Sequence, residues 1–585
     1  MTRSLVRSGF LVLLAAGAVS TVMLAQRPAF VPVTAEMLVK PNPDDWLMYS
    51  RTYDAQRFSP LRQITRQNVG QMKEVFKKEL GAGAIEGIPI VYRGVLYLML
   101  PGATVQALDA TTGALIWEHR RNAGASRVKT LAIYEDMIYY PSPDGFIVAL
   151  DARTGEVRWE TKTTGGMTAG AVVIEGKVLL GRTCAPRREN CYVSAHDAKT
   201  GVEAWRFYTA AASNEPGGDT WGGAPDETRV ASTWGLPGGY DPVRRLVYWG
   251  VANPTPNTRA DRHGGNSAAI PTTSPADLYS NSTIALHIDT GKLAWYYQHL
   301  PGDDWDEDYP HERTLTRTAV RPNPKFVKWI NPDVRPGEMR DVAVNVGEGG
   351  GVWALDRVTG QFLWANPFPF DTPNFLISNI DGKTGRVELN KNVMFTGPQD
   401  RRVICYWNTR SYWPTAFHPD LNALYVPYVE NCLDMTSAGP DRKPPERRLG
   451  IPREGSDPNT WAGLMKINLS TGEMTPIYRG RAPSNGAVLT TAGDVVFWGD
   501  VDSTFRALDA ASGKVLWEQT LTGPIQNSTV TYAVNGRQYV AVITGNGGLT
   551  GALAGQAGLK ASSAPSALHV FALGKIGRAS CRERV

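Results

Sequence analysis

The stretch Ala107-Leu-Asp-Ala-Thr-Thr-Gly-Ala-Leu-Ile-Trp117 decides the fold, because the chain repeats its pattern several times. Each copy has an alanine, an aspartate two positions later, Thr-Gly or Ser-Gly, and a tryptophan four positions after the glycine. Clear copies occupy Ala107–Trp117, Ala149–Trp159, Ala195–Trp205, Ala354–Trp364 and Ala507–Trp517. A weaker copy, Ala285–Trp295, carries His287 in place of the aspartate, and a vestige without the tryptophan surrounds Thr471-Gly472. Five such close copies argue against a coincidental set of hairpins.

Each copy has the chemistry of a hairpin turn followed by a strand. The aspartate side chain caps the turn, and the glycine supplies the positive φ that a tight turn needs. The tryptophan then lies on the next strand, where it can pack against the neighbouring repeat. Turns at 112, 154 and 200 have the period of a propeller, so we predict an all-β propeller with tryptophan-docking repeats. The wider gaps before the turns at 290 and 471 hide a degenerate blade or carry long insertions.

The composition is that of one large, turn-rich globular domain. The chain has 585 residues, among them 59 Gly, 40 Pro and 17 Trp, and 42% of the residues are hydrophobic. No linker rich in Ser, Pro or Gly divides it, so we expect a single propeller over residues 40–574. The net charge of +5, spread over 61 basic and 56 acidic residues, gives no nucleic-acid footprint.

The two ends of the chain have their own character. Residues 1–25 combine basic Arg3 and Arg7 with a long uncharged run and small residues, which is typical of an export signal peptide. An uncleaved membrane anchor is the alternative. We expect export to a bacterial periplasm, with no membrane span in the mature chain. Residues 575–585 are basic and lack the strand pattern, so we expect a disordered or non-native tail.

Cysteine placement agrees with export. Cys184 and Cys191 lie in a strand-rich stretch, and Cys405 and Cys432 flank a segment rich in Trp and Tyr. We predict two short-loop disulfides, 184–191 and 405–432, which an oxidising compartment permits. Four buried free thiols are the alternative. Cys581 remains in the tail.

The densest acidic cluster, Pro301-Gly-Asp-Asp-Trp-Asp-Glu-Asp-Tyr309, is the first candidate for chemistry. Crowded carboxylates are unfavourable unless a cation neutralises them or water surrounds them. Asp306 and Asp308 alternate, so in an extended segment both side chains would face one cavity. The cluster is therefore a metal or catalytic site, or else an exposed acidic loop. Other chemistries lack their motifs: the sequence has no Cys-x-x-Cys-His for haem attachment and no Gly-x-Ser-x-Gly elbow.

At this cluster the chain resembles the quinoprotein alcohol dehydrogenases, eight-bladed propellers that use pyrroloquinoline quinone. The resemblance runs from about Asp45 to about Leu573. It includes the opening Asp45-Trp46, the phrase Arg57-Phe-Ser-Pro-Leu61, the tryptophan repeats and the late stretch Gly536-Arg-Gln-Tyr-Val-Ala-Val542. The resemblance implies an eight-bladed β-propeller.

Several site residues carry over from this resemblance one by one. Asp306 matches the family's catalytic aspartate, a general base, which would also contact the metal. Asp308 matches the position of an additional aspartate that accompanies lanthanide use in some members. Glu86 and Thr168 match residues beside the quinone. Trp234 matches the tryptophan under the quinone plane, where a flat indole supplies stacking area.

Other expected groups are missing or changed. The family's adjacent cysteine pair should fall near Ser126 to Lys129, where this chain has no cysteine, and Lys129 or Arg127 would substitute for the arginine that follows that pair. The family's metal glutamate falls near Pro186, so we expect Glu189 as the nearest carboxylate ligand. The metal asparagine corresponds in this reading to Asp277, since an aspartate oxygen also binds a hard cation. Glu348 stands where the family has a basic residue.

The resemblance implies oxidation of an alcohol with pyrroloquinoline quinone and bound Ca²⁺ or a lanthanide. We expect electrons to pass to a separate cytochrome c, since no haem-attachment motif is present. The alternatives are a non-catalytic propeller scaffold, like the outer-membrane assembly propellers, and a degenerate enzyme that has lost its metal. The insertion 253–277, rich in Pro, Asn, Ser and Thr, is a candidate roof over the substrate pocket.

Overall fold

A computed structural model describes residues 30–124, 127–368, 375–397, 399–406, 409–437, 446–560 and 562–574. The chain divides into a short unit, Met1–Val31, and a large unit, Pro32–Val585, and every helix and strand described lies in the second. The predicted signal peptide (1–25) and the predicted tail (575–585) lie outside the described residues. Within those residues no helix is both long and apolar enough to cross a membrane.

The described chain is built from sheets of four or five strands, mostly antiparallel and adjacent in sequence. Sheet 1 contains Ile90–Tyr92, Val95–Leu100, Thr104–Asp109 and Leu115–His119; sheet 2 contains Ala132–Tyr134, Met137–Pro141, Phe146–Asp151 and Val157–Lys162; sheet 3 contains Ala171–Ile174, Lys177–Leu180, Tyr192–Asp197 and Glu203–Tyr208; sheet 4 contains Gly239–Asp241, Leu246–Gly250, Ser282–His287 and Leu293–Gln298. Sheet 5 contains Thr314–Val320, Glu338–Val346, Gly351–Asp356, Phe362–Pro367 and Trp329–Ile330; sheet 6 contains Ala416–His418, Ala423–Val429, Ala462–Asn468 and Met474–Gly480; sheet 7 contains Leu489–Thr491, Val495–Gly499, Thr504–Asp509, Val515–Thr520 and Phe58–Ser59; sheet 8 contains Val530–Val534, Arg537–Thr544, Ser566–Leu573 and Met72–Gly81.

Smaller elements fill the connections between these sheets. Short sheets pair Val230–Ala231 with Pro254–Thr255, Ile377–Ile380 with Val387–Leu389, and Arg401–Cys405 with Asn431–Thr436 and Glu446–Pro452. The α-helices are Ala35–Val39, Arg259–Arg262 and Thr550–Gln556, and 3-10 turns occupy Val69–Gln71, Pro101–Ala103, Arg188–Asn190, Gly218–Trp221, Asp226–Thr228 and Lys391–Val393. The wide gaps between repeats therefore carry long insertions in the described chain.

The tryptophan repeats dock as predicted. In the first repeat Asp109 accepts hydrogen bonds from the backbone N–H groups of Thr111 and Thr112, which fixes the turn. The indole of Trp117 then donates to the carbonyl of Ala152 in the next repeat, at 3.0 Å. Trp159 and Trp205 repeat this contact one sheet further on, to the carbonyls of Ala198 and Ile288. Sheets 1, 2 and 3 are thus each tied to the next sheet through the same local sequence.

Strand burial and the chain ends complete the architecture. The strand Lys177–Leu180 is an apolar run buried on both faces apart from its lysine, whereas the last strand of its sheet, Glu203–Tyr208, is partly exposed. The strand Met72–Gly81 pairs antiparallel with Ser566–Leu573, the last described strand, so an early and a late part of the chain meet in sheet 8. The all-β, propeller-type fold is confirmed, and the two predicted disulfides, Cys184–Cys191 and Cys405–Cys432, are present.

Gly155→Ala tests the tryptophan docking. Gly155 has φ +76°, and a Cβ added there would lie 2.5 Å from the Trp117 ring, so the variant combines backbone strain with a clash. We expect the free energy of unfolding to fall by about 3 kcal/mol in denaturant titrations. The matched control is Gly536→Ala, because Gly536 has φ +73° with no atom within 4 Å and should lose only about 1 kcal/mol. Equal losses in the two variants would show that the indole contact adds nothing.

Candidate functional site

The sequence-predicted residues converge because they occupy equivalent places in successive sheets. Glu86, Lys129, Thr168, Trp234 and Asp306 each lie a few residues before the first strand of sheets 1 to 5. Hydrogen bonds and close charge contacts join them into one site. A single kind of position, the segment entering the first strand, therefore supplies most of the site.

Glu86 is the centre of a buried charged group. Its carboxylate accepts hydrogen bonds from Arg127 Nε at 2.9 Å and from the backbone N–H of Gly548 at 2.8 Å. The Tyr412 hydroxyl donates to the same oxygen, Oε1, at 3.3 Å, and Lys129 Nζ lies 3.4 Å from the other oxygen, Oε2. Burial opposes ionisation of Glu86, but the charges of Lys129 and Arg127 outweigh it and lower its pKa. The group is a fixed arrangement of two cations around one anion.

Trp234 connects this group to the acidic segment. Its indole is half-buried, and Lys129 Nζ lies 5.1 Å from the ring centroid. The Thr168 hydroxyl donates to the Trp234 carbonyl at 3.1 Å. The indole Nε1 donates to Asp308 Oδ2 at 2.9 Å. Trp234 is thus held at its backbone and at its ring edge.

The carboxylate of Asp303 fixes the turn in the acidic segment Pro301–Tyr309. Asp303 is fully buried and accepts hydrogen bonds from the backbone N–H groups of Trp305 and Glu307. This turn leaves Asp306 half-buried with φ +71°, while its neighbours on both sides are buried. Asn253 Nδ2 donates to Asp306 Oδ1 at 2.9 Å. Asp306 is therefore the carboxylate of this segment that reaches an accessible space.

Two further carboxyl groups crowd behind Asp306. Asp308 accepts from the Asn253 backbone N–H at 2.9 Å, and its own N–H donates to Glu348 Oε2 at 3.3 Å. Ser411 donates to the other oxygen of Glu348 at 2.5 Å, and His311 Nε2 lies 3.3 Å from that oxygen. Burial, together with the neighbouring carboxylates, raises the pKa of both Asp308 and Glu348 well above their ordinary values.

Glu189 and Asp277, the other two predicted metal ligands, each have an arginine partner of their own. Glu189 lies in the turn Arg188–Asn190, is 54% exposed and pairs with Arg187. Asp277 is fully buried, with Oδ2 lying 3.0 Å from Arg262 Nη2 and Oδ1 lying 3.6 Å from His263 Nε2. Whether these two carboxylates take part in metal binding stays a prediction from the resemblance.

Sequence reasoning missed Asn253, Glu348, Ser411, His311 and Tyr412 as contact residues. A usable signal existed for Asn253, because this amide follows the buried strand Leu246–Gly250 at the start of the insertion. Tyr412 likewise precedes the first strand of sheet 6, in the same kind of place as Glu86. Glu348 was recognisable only as a departure from the family pattern.

Comparisons with known proteins show the family of the chain. A protein-family model described as "Glucose/ethanol/alcohol dehydrogenase, beta-propeller domain" matches residues 161–366 and 461–540. A second, described as "Outer membrane protein assembly factor BamB", matches residues 68–205. The chain is 30% identical to the quinohemoprotein alcohol dehydrogenase ADH-IIG of Pseudomonas putida, over 93% of this chain and 78% of that relative.

Two methanol dehydrogenases are also similar. The chain is 28% identical to the lanthanide-dependent methanol dehydrogenase of Methylorubrum extorquens, over 87% of this chain and 88% of that relative. The solved structure of a europium-containing methanol dehydrogenase superposes with a TM-score of 0.79 at 26% identity, covering 92% of this chain and 100% of the other.

Fold and site together define a propeller-type quinoprotein of the oxidoreductase class. The chain belongs to the family of pyrroloquinoline-quinone-dependent alcohol dehydrogenases.

The residues present fit the cofactor of this family. Pyrroloquinoline quinone is a flat polycarboxylate, and the site offers an indole face on Trp234 beside two cations, Lys129 and Arg127. Gly548 leaves room there, because a Cβ on it would lie 1.8 Å from Arg127 and 2.7 Å from Glu86.

The fit to a metal ion depends on a smaller set of oxygens. Asn253, Asp306 and Asp308 place one amide and two carboxylates together, the donor type that hard cations prefer. Within the described residues no group of three or more His, Cys, Asp or Glu side chains is spaced to hold a metal. An amide oxygen is therefore required to make up this set.

Proposed function

We propose that this chain oxidises an alcohol to the aldehyde or ketone, with Asp306 as the general base. The observation that carries the proposal is the state of Asp306, a half-buried carboxylate held by Asn253 beside the half-buried indole of Trp234 and its partner Asp308. A base must be ionised, accessible and positioned within hydrogen-bond reach of the substrate proton. Asp306 would take the hydroxyl proton of the alcohol while the carbinol carbon of that alcohol is oxidised.

The remaining residues would bind and orient. Trp234 supplies a flat face for stacking, Thr168 fixes the backbone of Trp234, and Lys129 and Arg127 attract the carboxylates of the cofactor. Glu86 holds those two cations in place. The chemistry that pyrroloquinoline quinone supplies when bound is acceptance of hydride, assisted by a Lewis-acidic cation.

Asn253, Asp306 and Asp308 would hold that cation, which we propose to be Ca²⁺ or a lanthanide. A bound cation would favour the ionised form of Asp308, and a lanthanide-dependent relative is among the similar proteins. For the amide of Asn253 to contribute its oxygen, the side chain must turn its carbonyl toward Asp306. Glu189 and Asp277 are not included in this proposed set.

The wider setting is also part of the proposal. The eight sheets named above support eight blades, and the pairing of Met72–Gly81 with Ser566–Leu573 supports their closure. Two disulfides support residence in an oxidising compartment, which we propose to be the periplasm. A separate cytochrome c would accept the electrons.

Reconstitution tests the function directly. We expect purified protein given pyrroloquinoline quinone with Ca²⁺ or a light lanthanide to reduce an artificial dye when supplied with primary and secondary alcohols. Rates would be measured for each metal and each alcohol, with apoprotein and metal-free quinone as controls. Binding of the quinone would be followed separately, by quenching of tryptophan fluorescence.

The outcomes separate this proposal from the alternatives. A non-catalytic scaffold would neither bind the quinone nor reduce dye. A degenerate member that has lost its metal would bind the quinone yet stay inactive with every cation. Turnover with one alcohol class and one metal would support the proposal and identify both.

A further inference from the structure

A short helix in the insertion, Arg259–Arg262, carries two arginines whose side chains are buried. Arg259 is 0% exposed and the Arg262 side chain is 2% exposed. Guanidinium groups are rarely buried without partners, because removing a charge from water is unfavourable. The groups that contact Arg259 and Arg262 therefore show which parts of the structure the insertion connects.

Arg262 joins the two ends of the insertion. Its Nη1 donates to the backbone carbonyls of Pro256 and Asn257 at 2.8 and 2.7 Å. Its Nε and Nη2 lie 3.1 and 3.0 Å from Asp277 Oδ2, and Asp277 is fully buried. Arg262 thus anchors the segment around Asn257 to Asp277 at the far end of the insertion.

Asn257 connects this anchored segment, through Asn253, to the proposed base Asp306. Its side-chain oxygen accepts a hydrogen bond from Asn253 Nδ2 at 3.1 Å. The same Nδ2 donates to Asp306 Oδ1 at 2.9 Å. These two contacts fix where the Asn253 side chain lies relative to Asp306, and that position is also the one from which a rotated amide would present its oxygen to a cation.

Arg259 attaches the same helix to the acidic segment. Its backbone N–H donates to Asp304 Oδ1 at 2.7 Å, and its guanidinium Nη1 donates to the Gly302 carbonyl at 3.2 Å. The helix therefore touches the chain just before Asp306 as well as the residues that hold Asn253. The position of the helix Arg259–Arg262 therefore affects how Asn253 lies relative to Asp306.

We infer that the buried pair Arg262–Asp277 positions Asn253 against Asp306 and thereby sets the rate of alcohol oxidation. This inference rests on the proposed function. Arg262 and Asp277 touch neither substrate nor cofactor in this scheme and act through Asn257 and Asn253. Small displacements of a reacting group, of about 1 Å, lower rates by up to about 100-fold.

A purely structural role is the competing explanation, and a double variant distinguishes it. Asp277→Asn alone leaves the Arg262 charge buried without its anion, so we expect the melting temperature to fall by roughly 5 °C. Arg262→Met with Asp277→Asn removes both charges, and buried pairs replaced in this way often regain their stability. The double variant should melt within about 2 °C of the wild type, yet lose the contacts to Pro256 and Asn257.

The measurements use protein loaded with pyrroloquinoline quinone and Ca²⁺ or a lanthanide. For the double variant we expect kcat/KM to be roughly 10- to 100-fold lower. The quinone Kd should be unchanged, because Trp234, Lys129 and Glu86 lie on other segments. The primary isotope effect with the 1-deuterated alcohol should rise, since misplacement of the base slows the chemical step.

The matched control is Arg244→Met with Asp241→Asn, a second arginine–aspartate pair with a buried aspartate, whose further partners Asp341 and Arg357 remain paired with each other. It lies at the hairpin end of sheet 4, opposite the ends from which Trp234 and Asn253 extend. We expect wild-type kcat/KM there. A double variant at Arg262 and Asp277 that also keeps wild-type kcat/KM would overturn the inference while leaving the proposed function intact. A wild type that binds no quinone and oxidises no alcohol would overturn both.

Discussion

Asp306→Asn will lower kcat by roughly 100- to 10,000-fold, the range that a general base contributes. Asparagine keeps the shape of the side chain and can still accept from Asn253, but it cannot take a proton from an alcohol. The loss should appear in kcat and kcat/KM together. Fluorescence quenching should show retained quinone binding, because Trp234 and the cations around Glu86 remain in place.

Glu189→Gln is the matched control for that result. Both residues were predicted metal ligands from the sequence, but the structure places Glu189 in an exposed turn paired with Arg187. We expect full activity in this variant with every metal tested. Retained turnover in Asp306→Asn would contradict the assigned base, and a large loss in Glu189→Gln would contradict the placement of that turn.

The propeller-type fold could be predicted because its cause is local. Within eleven residues the repeat contains the turn-capping aspartate, the glycine with positive φ and the docking tryptophan, as in Asp109, Gly113 and Trp117. Docking needs no distant information, since Trp117, Trp159 and Trp205 each donate to the turn of the next copy. The insertions carry no such periodicity, so their helices and small sheets could not be predicted.

The residues of the candidate site likewise fall into those that the sequence could predict and those that it could not. Glu86, Trp234 and Asp306 lie in segments that enter the first strand of a sheet, where the surrounding motif is regular and residues can be matched to the family by position. Asn253 and Asp277 lie at the two ends of an irregular insertion. Which of them approaches Asp306 depends on the partner of a third residue, Arg262, and no sequence pattern specifies that pairing.

Lys129→Met will lower the free energy of unfolding by about 3 kcal/mol, even without cofactor. Removing one partner of a buried ion pair leaves the other charge uncompensated, and the side chains of Lys129 and Glu86 are both almost completely buried. Glu86 keeps its bonds to Arg127 and Gly548, which places the loss at the lower end for such pairs. Urea titrations of the apoprotein would measure it, and the quinone Kd should rise as well.

Arg127→Met is the control, because its side chain also pairs with Glu86 but is 50% exposed, so about 1 kcal/mol or less is expected. A second variant, Lys129→Met with Glu86→Gln, should recover most of the stability but not the quinone affinity, since the cation is still missing.

In the wild type the lowered pKa of Glu86 stabilises the fold above the ordinary glutamate pKa, and this contribution is lost as the pH falls through the lowered value. Lys129→Met should lose much of that acid dependence. Equal effects of the two single variants would contradict the buried pair as the stabilising element, and unchanged quinone affinity would contradict Lys129 as a cofactor contact.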